Sequence, residues 1–275
     1  MIRLLPDKEI KVTRAKAGRV PLLILSPKKG ASDAPGVLWI HGGGYATGMK
    51  EMVHMGRAPS LVKKFGAVVI SPGYRLSFKA PYPAAVEDCY EVLLYLKDHS
   101  SELGVRTDQI MVGGESAGGG LTAALCIMAR DRREVNVAFQ MPLYPMIDNF
   151  DTDSSRDNHG KVWNTRRNHM AWKLYLRKDA HKDVSPYAAA SRENDYTGLP
   201  PTYTFVGDGE PFYCETLKYI DDLRKAGVPA EVDVYNTNMH AFDMMRPGLE
   251  ISRKAAEKFE DRFEYAVNNY FAENS

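Results

Sequence analysis

A serine flanked by glycines lies where a buried strand should turn into a helix. Residues 114–118 read Gly-Glu-Ser-Ala-Gly, with Ser116 at the centre, between an apolar run at 110–112 and an apolar stretch reaching about residue 129. In such a strand–serine–helix turn, small residues two positions to either side let the chain pass close to its neighbours, and the hydroxyl is held at the end of the sheet. A chance match somewhere in the chain has a probability of roughly one in ten. A nucleophilic Ser116 therefore needs independent support.

That support comes from a second glycine-rich segment, His-Gly-Gly-Gly at residues 41–44, directly after an apolar run at 37–40. A serine that attacks an ester carbonyl creates a tetrahedral oxyanion, which fixed backbone N–H groups stabilise. Glycine lets the backbone approach closely and turn its amides inward. A phosphate-binding loop is the alternative, but the segment lacks both the Lys-Ser/Thr and the G-x-G-x-x-G patterns of such loops. We therefore expect an oxyanion hole here, with the N–H of Ala117 as a further donor.

The general base follows from residue order. After a strand–serine–helix turn of this kind, the acid and then the histidine come later in the chain. Only His240, in a loop after the apolar run 232–235, follows the last strand able to carry the acid. The other histidines precede Ser116 or lie in an interrupting segment: His41, His54, His99, His159, His169 and His181. His240 is therefore the predicted base.

Two carboxylates compete for the position of the acid. Residues 207–211, Gly-Asp-Gly-Glu-Pro, follow the apolar run 203–206, so Asp208 and Glu210 both lie where a carboxylate could orient the imidazole. Spacing and periodicity do not choose between them.

The elements that must position these residues alternate along the chain. Apolar runs typical of strands buried on both faces of a parallel sheet cover residues 37–40, 68–71, 110–112, 137–143, 203–206 and 232–235. Helical patterns lie between and after them, at residues 83–99, 217–223 and 251–263. This alternation predicts a doubly wound, mostly parallel sheet. Runs at 10–14 and 19–25 predict an antiparallel hairpin at its N-terminal edge.

One segment, residues 149–199, interrupts the alternation. It is polar at first and then predicts a short helix at about residues 168–178. Loops this long are usually functional, so we expect a lid or cap insertion. Trp163, Trp172 and Tyr45 are candidates to line a substrate pocket, although packing of the lid on the sheet is the preferred interpretation for the tryptophans.

Bulk composition narrows the classes of function. The 275 residues suffice for one α/β domain, which we expect to cover residues 1–275. Lys plus Arg number 36 and Asp plus Glu number 35, so the positive and negative charges nearly balance. This balance predicts binding neither to nucleic acid nor to an anionic membrane. Residues 1–11 carry charges without an apolar run, and three widely spaced cysteines argue against disulfides or a zinc site. We therefore expect a cytoplasmic protein without a secretory signal. A homodimer is compatible with the same composition.

Taken together, these segments resemble those of the hormone-sensitive-lipase-like esterases, the bacterial class IV carboxylesterases of the α/β-hydrolase fold. The likeness covers residues from about 36 to 245. Besides the two glycine-rich segments it rests on Tyr74-Arg75-Leu76, Pro83-Ala84-Ala85-Val86-Glu87-Asp88, Leu199-Pro200-Pro201, Ala226-Gly227-Val228-Pro229 and Met239-His240-Ala241-Phe242. The resemblance implies hydrolysis of small short-acyl esters, with no cofactor and no metal. It also implies oxyanion donors at Gly43, Gly44 and Ala117.

The resemblance further bears on the acid. The family frame of an acid, a proline and a later glutamate matches residues 210–215, which puts Glu210, not Asp208, in the acid position, with Glu in place of the commoner Asp. The chain departs from the family in two other places. Only 35 residues precede Gly36, so we expect a truncated cap. Ala241 replaces the usual glycine after the histidine, a change we expect to be tolerated.

Two other functions share these features. An amidase, deacetylase or peptidase would use the same residues, because the triad does not encode the leaving group. A non-catalytic small-molecule receptor can also be built on a hydrolase scaffold. The presence of His240 counts against the receptor, since receptor relatives of this family have lost the histidine.

Overall fold

The strands form one eight-stranded sheet in a computed structural model that describes residues 7–274. In chain order they are β1 (Ile10–Ala17), β2 (Val20–Pro27), β3 (Ala34–Ile40), β4 (Val68–Pro72), β5 (Val105–Glu115), β6 (Phe139–Leu143), β7 (Thr202–Gly207) and β8 (Ala230–Tyr235). Their spatial order is β1-β2-β4-β3-β5-β6-β7-β8. The β1–β2 and β2–β4 pairs are antiparallel and the other pairs are parallel. The predicted mostly parallel sheet with an antiparallel N-terminal edge is confirmed.

Eight α-helices connect or follow these strands within residues 7–274. They are α1 (Ala58–Phe65), α2 (Ala84–Asp98), α3 (Ser100–Leu103), α4 (Ala117–Arg132), α5 (Thr165–Leu176), α6 (Tyr213–Lys225), α7 (Phe242–Met245) and α8 (Glu250–Asn269). Short 3-10 turns lie at Lys50–His54, Arg177–Asp179 and Ala190–Arg192. None of these helices is long and apolar enough to cross a membrane.

Helices cover both faces of the sheet because alternate strand residues point to opposite sides. All seven residues of β3 are buried. Its Leu38 and Ile40 join the core that includes α2, α4 and α6, whereas Val37 and Trp39 join the core that includes α1 and α8. Burial on both faces explains why the strands have near-continuous apolar sequences.

The N-terminal hairpin is present and is longer than the sequence predicted. β1 and β2 pair over their whole length, from Ile10 opposite Pro27 to Ala17 opposite Val20. Residues 1–6 and 275 lie outside the described residues. The expected absence of a secretory signal, the truncated cap and the extent of the domain over residues 1–275 therefore stay predictions.

The interrupting segment, residues 149–199, lies between β6 and β7 and contains α5. The helix begins earlier than the predicted residue 168 because Asn164 caps it, its side chain accepting from the N–H of Arg167 at 3.1 Å. Such a cap satisfies an amide that the first helical turn leaves without a partner. The role of the segment as a lid stays a prediction.

Four parallel strands bring the chemistry-bearing residues to one edge of the sheet. β3, β5, β7 and β8 run in the same direction, so the segments that follow them leave the sheet at the same edge. Those segments carry His41, Ser116, Glu210 and His240. In open α/β sheets this edge is where ligands bind.

Candidate active site

Ser116 occupies a sharp turn between the last residue of β5 and the first residue of α4. Its backbone has φ 58° and ψ −118°, a conformation that is costly for a non-glycine residue and that persists only where neighbours hold it. The N–H of Ser116 donates to the carbonyl of Leu143 at 3.0 Å. Its own carbonyl accepts from the N–H groups of Gly120 at 2.9 Å and Met146 at 3.0 Å. These three bonds hold the strained turn.

The flanking glycines are a steric requirement of this turn. A Cβ added at Gly114 would lie 2.5 Å from the carbonyl oxygen of Ile40, and one added at Gly118 would lie 2.1 Å from the same oxygen. Both distances are far inside van der Waals contact. The prediction that small residues let the chain pass its neighbours here is confirmed.

Ser116, His240 and Glu210 form one hydrogen-bonded chain. Nε2 of His240 lies 2.8 Å from Oγ of Ser116, and Nδ1 of His240 bonds Oε2 of Glu210. Because the carboxylate can only accept, Nδ1 carries the proton and Nε2 is free to accept one from the serine. The other carboxylate oxygen of Glu210 accepts from the N–H of Gly207 at 2.7 Å. All three side chains are buried.

Asp208, the competing carboxylate, bonds a different part of the molecule. Its Oδ1 accepts from the N–H of Thr237 and its Oδ2 from the side chain of Asn236, both at 3.0 Å. Asp208 is exposed. It therefore ties the turn after β7 to the loop leading to His240, while Glu210 makes the contact with the imidazole.

The residue after the histidine has a left-handed backbone. Ala241 has φ 54° and ψ 38° and is the N-cap residue just before the short helix α7. Glycine adopts this conformation without strain, whereas alanine does so at a cost of about 1–2 kcal/mol. The structure thus accommodates the alanine.

The three candidate oxyanion donors are available for a ligand. Within residues 7–274 the N–H groups of Gly43, Gly44 and Ala117 have no hydrogen-bond acceptor. Gly43 and Gly44 have φ of 118° and 59°, which favour glycine. A Cβ added at Gly42 would lie 3.2 Å from the Cβ of Ser116, so this loop runs directly against Ser116.

His41 shapes this loop. Its ring stacks on Tyr74 with centroids 4.3 Å apart, and its Nδ1 donates to the carbonyl of Gly42 at 2.8 Å. The hydroxyl of Tyr74 donates to the carbonyl of His41 at 3.0 Å. Burial lowers the pKa of His41 to about 4, so the ring is neutral near pH 7 and its contacts brace the glycine-rich turn.

The α/β-hydrolase fold family matches residues 37–244. The chain belongs to this family. The match includes the serine turn, the glycine-rich loop and the histidine loop, and it confirms the predicted fold.

Several proteins similar to this chain are named esterases. Esterase LipI of Mycobacterium tuberculosis is 30% identical over 214 residues, which are 77% of this chain and 66% of LipI. An arylesterase of Saccharolobus solfataricus is 29% identical over 227 residues, covering 81% of this chain and 72% of the relative. The solved structure of a bacterial heroin esterase superposes with a TM-score of 0.87 at 33% identity, covering 92% of this chain and 83% of that chain. The resemblance to the hormone-sensitive-lipase-like carboxylesterases is confirmed.

Three aromatic side chains surround the imidazole of His240. Tyr144 and Phe212 meet the ring edge-on, with centroids 5.1 and 5.0 Å away, and Trp163 lies 6.3 Å away. Tyr144 and Phe212 are fully buried, whereas Trp163 is half-buried. Trp163 is thus the member of this group that remains partly open to solvent.

The interrupting segment is anchored to the loop that carries Glu210. The hydroxyl of Ser154 donates to the carbonyl of Pro211 at 2.7 Å and accepts from the N–H of Cys214 at 3.0 Å. The side chain of Asn158 donates to the carbonyl of Gly209 at 3.1 Å. The polar residues at the start of the segment therefore fix it beside the site.

The aromatic candidates of the sequence take different positions. Trp172 and Tyr45 are buried and pack on each other, with centroids 5.4 Å apart, as expected for core packing. Trp163 packs against the same core, as that interpretation predicts, and it also lies beside His240 and Gly44. The residues around Trp163 in the sequence do not predict this position, because Gly44 and His240, which the indole approaches, are distant in the chain.

A buried ionisable cluster behind the site was not predicted. The Arg57 guanidinium donates to Oδ2 of Asp243, and the hydroxyl of Tyr144 donates to Oδ1 of the same carboxylate at 2.9 Å. Next to this pair, Glu115 accepts from Nε1 of Trp39 at 2.8 Å. Burial raises the pKa of Glu115 to about 8, the Asp243 carboxylate adds to the rise, and Arg57 opposes it. The residue before Ser116 is therefore tied to β3 through Trp39.

Glu215, the later glutamate of the family frame, supports the site indirectly, through the backbone of residues close to it. Its Oε1 accepts from the N–H groups of Ile147 at 2.7 Å and Asp148 at 3.1 Å. Burial raises its pKa well above the usual range for a carboxyl group. Glu215 therefore holds the chain just beyond the residues that bond the backbone of Ser116.

Proposed function

We propose that this protein is a serine carboxylesterase that hydrolyses small, short-acyl esters through an acyl-enzyme intermediate, with Ser116 as nucleophile, His240 as base and Glu210 as orienting acid. The observation that carries the proposal is the hydrogen-bonded chain of these three side chains beneath a glycine loop with unused N–H groups. Family membership supports the same chemistry.

In the first half of the reaction, Oγ of Ser116 attacks the ester carbonyl while Nε2 of His240 takes its proton. The carbonyl oxygen becomes an oxyanion, and the N–H groups of Gly43, Gly44 and Ala117 stabilise it. The charged imidazole keeps its Nδ1 proton bonded to Glu210. It then gives the Nε2 proton to the departing alcohol, which leaves an acyl-serine.

In the second half, water takes the place of the alcohol. His240 removes a proton from the water, the resulting hydroxide attacks the acyl carbonyl, and the same N–H groups stabilise the second oxyanion. The proton returns to Oγ as the carboxylic acid leaves. The proposed cycle thus uses the three side chains, the backbone N–H groups of the oxyanion hole and one water molecule.

The preference for short acyl groups rests on the family resemblance and on the character of α5. This helix of the interrupting segment has 12 residues and buries Ala171, Trp172, Tyr175 and Leu176 against the body of the protein. It therefore offers no broad apolar face with which to bind an oil surface. Rates on p-nitrophenyl esters from acetate to dodecanoate test the preference, which is wrong if the long esters are cleaved best.

A cytoplasmic location is also part of the proposal. Its support is that Cys89, Cys126 and Cys214 are all free thiols, two of them buried and one half-buried. Free thiols are typical of a reducing compartment. Cell fractionation with an antibody against the protein tests it.

The nucleophile is tested by acylation kinetics with p-nitrophenyl acetate. The wild type should release p-nitrophenol in an initial burst, because p-nitrophenolate is a good leaving group and acylation of Ser116 is then expected to be faster than hydrolysis of the acyl-enzyme. Ser116→Ala should show neither burst nor turnover while keeping its melting temperature, because alanine is small enough for the turn. Ser101→Ala, at an exposed position on α3, is the matched control and should behave as wild type. Turnover by Ser116→Ala above the level of contaminating esterases would remove Ser116 from the mechanism.

A further inference from the structure

Trp163 connects the two halves of the candidate site. A Cβ added at Gly44 would lie 2.4 Å from Cη2 of Trp163, so the benzene edge of the indole rests directly on the glycine loop. The same indole lies 6.3 Å from the ring of His240, centroid to centroid. Trp163 therefore reaches from a proposed oxyanion donor to the proposed base.

The indole is held in place by its own segment. Nε1 of Trp163 donates to Oδ1 of Asn168 at 3.3 Å, and Asn168 is buried. The side chain of Asn164 donates to the carbonyl of Gly160 at 3.1 Å and caps α5. With its only polar atom already bonded, the rest of the indole is an apolar, aromatic surface.

The chemistry of the reaction determines which part of an ester meets this surface. The departing alcohol oxygen must lie close to Nε2 of His240, because it takes its proton from there. The alcohol group therefore extends past the imidazole. Of the three aromatic rings around that imidazole, Tyr144 and Phe212 are fully buried and closed to a ligand, and Trp163 is half-buried.

We propose that Trp163 is a specificity-determining residue that packs against the alcohol part of the ester and favours aromatic alcohols over saturated ones of the same size. This inference rests on the proposed function. Aromatic rings attract each other beyond the effect of buried area, because the electron-poor edge of one ring meets the electron-rich face of another. A saturated ring fills the same space without that attraction.

The test compares benzyl acetate with cyclohexylmethyl acetate. Their alcohols have similar shape, but phenyl withdraws electrons and makes benzyl alkoxide the less basic leaving group. The ratio of their kcat/KM values is therefore divided by the ratio of their rates of alkaline hydrolysis, and this corrected ratio reports the contact with the alcohol ring. The wild type should prefer the benzyl ester by about two- to tenfold, the range expected for one aromatic pair. Trp163→Leu should bring the ratio close to one, whereas Trp163→Phe should retain part of the preference.

Trp172→Phe is the matched control, because Trp172 lies in the same segment but packs on Tyr45 away from His240. It should keep the wild-type ratio. The inference is wrong if Trp163→Leu, with an unfolding transition like that of the wild type, keeps the full preference for the benzyl ester, or if the wild type shows none. Should the wild type cleave neither ester, nor p-nitrophenyl acetate, the proposed function fails instead.

Discussion

Replacing Glu115 by glutamine should make the protein more stable at neutral pH. Glu115 is buried beside the nucleophile, accepts from Nε1 of Trp39 at 2.8 Å, and would be 2.3 Å from a Cβ added at Gly56. Glutamine has nearly the same shape, can accept the same hydrogen bond, and never carries a charge. The substitution therefore isolates the consequence of burying an ionisable group.

The magnitude follows from the pKa of Glu115, which burial raises from the ordinary value of 4.5 to about 8. In the unfolded chain the carboxyl ionises near the lower value, whereas in the folded protein it keeps its proton up to the higher one. The stability that the protonated carboxyl contributes to the folded protein is therefore fully present below pH 4.5 and is lost as pH rises through about 8. Between these two pKa values, each unit of pH lowers the free energy of unfolding by about 1.4 kcal/mol. The loss accumulated by pH 7 is about 3 kcal/mol.

Urea unfolding at several pH values between 5 and 8 measures this directly. Wild type and Glu115→Gln should differ little near pH 5, and the variant should gain about 1.4 kcal/mol per pH unit relative to the wild type above that. Glu257→Gln, at an exposed position of α8, controls for the loss of a surface carboxylate. A difference that stays constant from pH 5 to 8 would refute the reasoning, because Glu115 would then be ionised in the folded protein.

Four further substitutions test neighbouring parts of the structure. Glu210→Gln should lower kcat by on the order of 10³–10⁴, while Asp208→Asn should cost about 1 kcal/mol of stability and little turnover; steady-state kinetics and melting curves showing the reverse would reassign the acid. Ala241→Gly should raise the free energy of unfolding by about 0.5 kcal/mol, since relief of left-handed strain outweighs the entropy of an unfolded glycine; urea unfolding that finds it less stable contradicts this. Arg57→Met should cost about 3–5 kcal/mol in the same assay, because Asp243 would keep a buried charge without its cation, and a loss under 1 kcal/mol would mean that the pair contributes little.

Much of the site could be predicted because its signals are local. The glycines stand two positions to either side of Ser116 in the sequence, although the contact that requires them, with the carbonyl oxygen of Ile40, comes from the neighbouring strand β3. The near-continuous apolar runs follow from burial of the strands on both faces, and His240 follows from the order of the chain. Even so, element ends were missed: β5 begins at Val105, five residues before the predicted run. Its first five residues are mostly polar and alternate in burial, with Val105 and Gln109 buried and Thr107 exposed, so they lack the near-continuous apolar pattern of the rest of the strand.

The sequence by itself determined the fold class, the nucleophile turn and the candidate base, because strand and helix periodicity depend on residues only a few positions apart. Spacing left Asp208 and Glu210 open and the family resemblance implied Glu210, but only the tertiary structure shows the contact of Glu210 with His240. Only the structure shows that Trp163 rests on Gly44 and that an arginine pairs with a carboxylate 186 residues away. These contacts join loops from different strands. Their geometry depends on sheet order, helix placement and side-chain packing, none of which leaves a pattern in neighbouring residues.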